Sequence, residues 1–266
     1  MQYGGDVTIG GASAQRNLPL LTIRKASVGA MANNVYLLTC VRPGAQLLID
    51  AADDPARILS LVTEGSGRLD TIVTTHQHWD HHGALLQVAE ATNATTAAGD
   101  ADADALPVIP DRRLRHGDTL TFGEVTLKVI HLRGHTPGSV ALVYNDPTGH
   151  DHIWTGDSLF PGGVGNTQKD PDRFASLLGD VQTRSSTSMT MTRGSTRATG
   201  QTPRSAPNAL TCRSGVNAAG SHHHRTGQAG AVRSAPTSTS PSSVNATCIP
   251  TCRPCSRRAP LANDMS

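Results

Sequence analysis

Between residues 75 and 83 the chain reads THQHWDHHG, directly after the compact β-prone run Leu69–Thr74 and before a helix-forming stretch from about Ala84 to Ala91. Alternate residues leaving a strand end share a direction, so His76 and His78 can converge on one ion, while Asp80 and His81, one step around the loop, can face a second. Imidazole and carboxylate at this spacing are the donors that borderline divalent metals such as zinc prefer. Farther along, His135 and Asp157 each follow a strand-like run. Loops at one edge of a sandwich bring such residues to the same spot, and this constrains the fold more than any other feature of the chain. A lone histidine is more often a packed or solvated side chain, which is the reading for His116, His150 and His152. Trp79 is expected to pack and stiffen the loop, and the glycines of GHTPGS and PGGVG to form turns.

The surrounding pattern mixes short strands with helices. Leu20–Ile23, Val35–Thr39 and Gln46–Ile49 are apolar, strand-like runs. Asp54-Pro55 opens a helix with Ile58, Leu59 and Val62 at helical spacing and Gly65 to stop it. Val125–Leu132, the loop RGHTPGS (133–139) and Val140–Tyr144 form a strand–loop–strand unit, and Ile153-Trp154 leads into TGDSLF (155–160). From Asp170 to Arg184 an amphipathic helix is predicted, with Phe174, Leu177, Leu178 and Val181 on one stripe.

Composition divides the chain. Every Phe, Tyr and Trp lies at or before Phe174, and residues 185–266 hold nine Arg, no Lys, no Glu and one acid, Asp264. The tail is net +8 and the preceding section net −6. The expected organisation is an N-terminal arm over 1–19, a folded domain over 20–184, and a tail over 185–266. That tail lacks the apolar surface to offset about 1–2 kcal/mol of backbone entropy per residue, and reads as disordered. No stretch approaches the roughly 18 apolar residues of a membrane span, and residues 1–19 lack a signal-peptide core. The expectation is a cytoplasmic protein acting on a small molecule, with no membrane and no nucleic-acid partner, since the acidic front section offers no basic track for phosphates.

The motifs THQHWDH, GHTPGS and TGDSLF, within Leu20 to Arg184, resemble those of metallo-β-lactamase-fold hydrolases, and among them the glyoxalase II-like branch. The resemblance implies an α+β fold, a four-layer αββα sandwich with metals at the edge between its sheets. It implies that His76, His78 and His135 hold a first metal, that Asp80 and His81 bind a second, and that Asp157 bridges them. The expected cofactor is two zinc ions, with iron or manganese as substitutes. Water shared by two such cations ionises near neutral pH. The implied reaction is attack of that hydroxide on a carbonyl, with a thioester as the expected substrate and Asp80 managing protons. A lactonase and a mononuclear-iron sulfur dioxygenase of the same fold are the rival readings. The chain leaves no room for the separate glutathione-binding domain of glyoxalase II, which weighs against that substrate.

The resemblance also implies one more ligand, a histidine in a Pro-Gly-His-Gly setting after Asp157, and no such motif is present. His222-His223-His224 and the cysteines at 248, 252 and 255 sit in sequence that gives them no scaffold. A reading-frame slip after Arg184 accounts for the change. Regrouping the codons of residues 185–200 can return acids, aromatics and Pro-Gly-His-Gly, with the histidine at the position of Thr199. On that account the chain as written is an inactive product lacking the closing part of its sandwich.

Overall fold

A computed structural model describes residues 5–184. The expectations for residues 185–266, including the disordered tail, the frame slip and the position of Thr199, lie outside the described residues.

The first sheet is built from β1 (Ala14–Asn17), β2 (Leu21–Val28), β3 (Asn33–Cys40), β4 (Gln46–Ile49), β5 (Thr71–Thr74), β6 (Thr95–Gly99) and β7 (Arg112–Leu114), in that spatial order. Its first four strands pair antiparallel and β4 to β7 run parallel. The parallel pairs require crossovers, supplied by α1 (Pro55–Glu64) between β4 and β5 and α2 (Leu85–Thr92) between β5 and β6. Asp54 caps α1 by accepting from Arg57 N–H, and Pro55 fits the first turn, where no donor is needed. The second sheet has the order β11 (His152–Trp154), β10 (Val140–Tyr144), β9 (Val125–His131), β8 (Thr119–Phe122), antiparallel throughout. A small ribbon of β12 (Leu159–Phe160) and β13 (Gly163–Val164) precedes α3 (Pro171–Arg184).

Three apolar layers follow from the strand alternation. Tyr36, Leu38 and Leu47 of the first sheet meet Leu127, Leu142 and Trp154 of the second in a common core. On the outer face of the first sheet Leu37, Leu48 and Ile72 pack against Ile58, Leu61 and Val62 of α1 and Leu85 and Val88 of α2. On the outer face of the second, Ile130, Ala141 and Val143 pack against Leu177 and Val181 of α3. The architecture is therefore αββα, as the sequence motifs imply.

Two packing expectations are corrected. Trp79 does not stiffen its loop from within; its side chain is 68% exposed on the outer side of a one-turn 3₁₀ segment. Phe174 is 47% exposed, because the inner face of α3 follows Arg173, Leu177, Asp180, Val181 and Arg184. That stripe has helical spacing, but three of its five residues are charged, so an apolar count centres the buried face one residue off. The expected arm contributes an edge strand: Ala14–Asn17 pairs with Lys25–Thr22. No helix among the described residues is long and apolar enough to cross a membrane.

Candidate metal centre

The parallel strands end on one rim, and loops from both sheets meet there. His76 and His78 leave β5, His81 lies in the turn before α2, His135 lies between β9 and β10, and Asp157 follows β11. Ring centroids of His76, His78 and His135 are 4.6–4.8 Å apart, and His76 lies 4.1 Å from His81. Two groups of donors result. His76, His78 and His135 form one, and His76, His81 and Asp157 the other, each with donor atoms within 4.8 Å of one another. The Asp157 carboxylate spans them, with Oδ1 3.5 Å from His81 Nε2 and Oδ2 3.9 Å from His135 Nε2. Asp80 lies beside the second group, its Oδ2 3.8 Å from His81 Nε2 and 3.1 Å from the Asn33 Nδ2 that donates to it. His82 turns away and donates to the Gln77 carbonyl.

The hydrogen bonds fix which ring nitrogen faces inward. Thr75 gives its hydroxyl proton to Asp50 Oδ2 (2.9 Å) and therefore accepts from His76 Nδ1 (3.0 Å). His81 Nδ1 donates to Asp50 Oδ2 (2.8 Å), and His135 Nδ1 to the Asn166 carbonyl (2.8 Å). All three Nε2 atoms are thereby left as acceptors. They are buried and have no hydrogen-bond partner among the described residues. Buried polar atoms rarely stay unsatisfied, and imidazoles with Nδ1 tied to an acceptor are the usual supporting arrangement of metal-ligating histidines. The residues present fit a divalent cation.

At His76, His78 and His135 burial favours the neutral ring that metal binding needs, whereas at His81 the surrounding carboxylates favour the charged one. Burial holds His76 well below the usual imidazole range, and the neighbouring His81, His135 and His78 lower it further. Burial also pulls His135 down, to about 4, against the hydrogen bond to Asn166. His78 is lowered by burial as well, partly offset by Asp80. Burial acts on His81 in the same direction, but the charge and hydrogen bond of Asp50, with Asp157 and Asp80, leave it raised.

Several residues that hold the site have no motif of their own. Asp50, fully buried at the end of β4, accepts from Thr75 N–H (2.7 Å), Thr75 Oγ1 and His81 Nδ1, so one carboxylate orients two histidines. The acid closing the apolar run QLLID was its only trace in the sequence. Asp102, also fully buried, accepts from Gln77 N–H (3.0 Å), Gly138 N–H (2.6 Å) and the Thr136 hydroxyl, and joins the HQHWDH loop to the GHTPGS loop. Gly156 has φ 49°, and a Cβ there would meet Thr75 Oγ1 at 2.7 Å, so only glycine brings the TGD turn this close to the residue holding His76. Beside Asp80 a shallow pocket is lined by Val28, Met31, Asn33, Ala52 and Trp79.

The profile of the Metallo-beta-lactamase superfamily matches residues 28–199, and the chain belongs to that superfamily. Within it, the chain is similar to hydroxyacylglutathione hydrolases. It is 36% identical over 133 residues to that of Fuscovulum blasticum, covering 50% of each chain. It is 33% identical over 147 residues to that of Ruegeria pomeroyi, covering 55% of this chain and 56% of the relative. The chain thus spans about half the length of the curated relatives it matches. Among solved structures, ETHE1 from Myxococcus xanthus matches at TM-score 0.52 and 26% identity, over 60% of this chain and 68% of the other. The BLEG-1 B3 metallo-beta-lactamase shares the fold at TM-score 0.55 and 21% identity, over 61% and 84%.

Proposed function

We propose that this chain is a metal-dependent hydrolase whose substrate is a thioester, with His76, His78 and His135 holding one divalent cation and Asp80, His81 and the bridging Asp157 a second. Zinc suits this donor set, and iron or manganese are tolerated by it. The observation that carries the reading is the set of three buried Nε2 atoms, each aimed inward by a hydrogen bond at its own Nδ1. When bound, such a pair supplies Lewis acidity at the carbonyl oxygen and acidifies water to near neutrality.

The chain's own residues do the rest. Asp80, steadied by Asn33, sits at the open side of the site and takes up or returns the proton of the attacking water. Trp79 and Met31, both exposed beside Asp80, offer an apolar surface to the acyl group. A thiolate leaving group needs less protonation than an amine or alkoxide, which suits a site where Asp80 is the one group placed for proton transfer. The relatives' name supports a hydroxyacylglutathione as the first substrate to try.

The test is hydrolysis of a panel of acylglutathione thioesters, lactones and β-lactams by the zinc-loaded chain. Thioesters should be turned over first, and Asp80→Asn should lower kcat by about 10²–10⁴-fold, the usual contribution of a positioned proton-transfer group. Turnover of lactones alone sinks the thioester assignment, and no turnover of any substrate selects the inactive, frame-shifted product instead. One observation favours a second reading, a mononuclear-iron sulfur dioxygenase: His76, His81 and Asp157 form a two-histidine, one-carboxylate set, the donor type of non-haem iron sites. Oxygen consumption by the iron-loaded chain that depends on an added glutathione persulfide and yields sulfite, without thioester turnover, selects it.

A further inference from the structure

We propose that Arg173 is a positioning residue for His135, setting the backbone of that ligand from α3 and thereby the affinity of the three-histidine group. The inference rests on the reading that His76, His78 and His135 hold a cation.

His135 is the one member of that group that does not leave β5. Its loop is soft by composition, RGHTPGS, and Gly134 adopts φ 132°, which favours glycine. Asp102 ties down the far end of the loop, at Thr136 and Gly138, and the near end, at Gly134 and His135, needs its own anchor. The ring is oriented by the Asn166 carbonyl, and the backbone by Arg173. Arg173 Nε donates to the Gly134 carbonyl at 2.7 Å, Nη2 donates to the His135 carbonyl, and Nη1 is held by Gln168 Oε1 at 2.8 Å. All three nitrogens of the guanidinium are used, two of them on consecutive carbonyls of the ligand's own turn. Gly134 lies close under the helix, where a Cβ would meet the Arg173 carbonyl at 2.3 Å and Leu177 Cβ at 2.7 Å.

A second bridge joins the same loop to the same helix and serves as an internal control. Arg133 donates from its backbone N–H (2.9 Å) and its guanidinium to Asp180. That bridge grips the loop through residue 133 and touches neither the ring nor the carbonyl of His135. The two arginines should separate: loss of Arg133 weakens the fold, and loss of Arg173 also releases the ligand. Lysine cannot substitute for Arg173, because an ammonium on a flexible stem cannot reproduce a planar fork shared between two carbonyls.

The experiment is a cobalt(II) titration of the full chain, read by ligand-field absorption, for the parent and for Arg173→Ala, Arg173→Lys and Arg133→Ala, with melting temperatures of the metal-free forms. Arg173→Ala should weaken the first equivalent of cobalt by about 10–100-fold, the usual effect of removing a group that supports a ligand, and should shift its absorption bands. Arg173→Lys should recover only part of the loss. Arg133→Ala should melt as low as Arg173→Ala yet bind cobalt within about twofold of the parent. Should Arg173→Ala fail to fold, Arg173→Lys is read in its place against the same control. Parent-like cobalt affinity and bands in the Arg173 variants overturn the proposal, as does an equal loss in Arg133→Ala. Absence of cobalt binding by the parent overturns the metal reading itself, and this inference with it.

Discussion

Asp50 shows how much of the site depends on one side chain outside the motifs. It has a positive φ of 61°, is fully buried, and accepts three hydrogen bonds, two from Thr75 and one from His81. Asn at this position keeps the shape but turns an NH₂ group toward two donors. Asp50→Asn should lower unfolding stability by about 1–3 kcal/mol, the cost of a buried group left unsatisfied, and weaken metal binding about 10–100-fold. Urea denaturation and a zinc titration check this, and parent-like values in both would remove Asp50 from the account. The donors themselves were legible in the sequence, because HQHWDH, His135 and Asp157 are residue types that rarely cluster without a ligand. What orients them was not legible. No spacing rule relates Asp50 to His81, Asp102 to Gln77, or Asn166 to His135, since those contacts exist only once the strands β4, β5, β6 and β9 have been brought to one rim.

At the scale of elements, the readable parts were those with strong apolar runs or clear punctuation. Gln46–Ile49 and Val140–Tyr144 have the bounds their composition implies, and Asp54-Pro55 and Gly65 bracket α1. The strands β6, β7 and β8 carry the sequences TTAAG, RRL and TLTF, with too few large apolar residues to stand out. They are held by pairing with neighbours rather than by their own pattern. Helix α3 was visible but misaligned, because its inner face carries Arg173, Asp180 and Arg184 where an apolar stripe was expected. Asp180 gives that face a pH signature. Burial alone raises its carboxyl, but hydrogen bonds from the Arg133 side chain and backbone, with the charge of Arg184, leave it below the usual range. A depressed value in the folded state means stability that is present above the unfolded carboxylate value and lost as pH falls through the folded one. The melting temperature should therefore drop in the acid window below about pH 4, and Asp180→Asn should start lower and fall less across it. A variant whose acid profile runs parallel to the parent's would remove this pair as a source of acid sensitivity.

For the whole molecule, the αββα arrangement gives each half of the site to a different sheet. His76, His78 and His81 come from the first, and His135 and Asp157 from the second, so a bound cation ties the two together. Ligand binding to the folded state alone stabilises it by about 2.7 kcal/mol at a hundredfold excess over Kd. Stripping metal with a chelator should therefore lower the melting temperature, and restoring zinc should bring it back. His76 lies within reach of both donor groups, but with Nδ1 tied to Thr75 its Nε2 can serve one cation, that of the three-histidine group. The central claim is tested most directly by the metal content of the purified full chain after exhaustive dialysis, beside that of His76→Ala. The account predicts divalent metal retained by the parent and, in the variant, lost from the three-histidine group, with any remaining ion held by Asp80, His81 and Asp157. A parent that retains none, or a variant that retains as much, would contradict it.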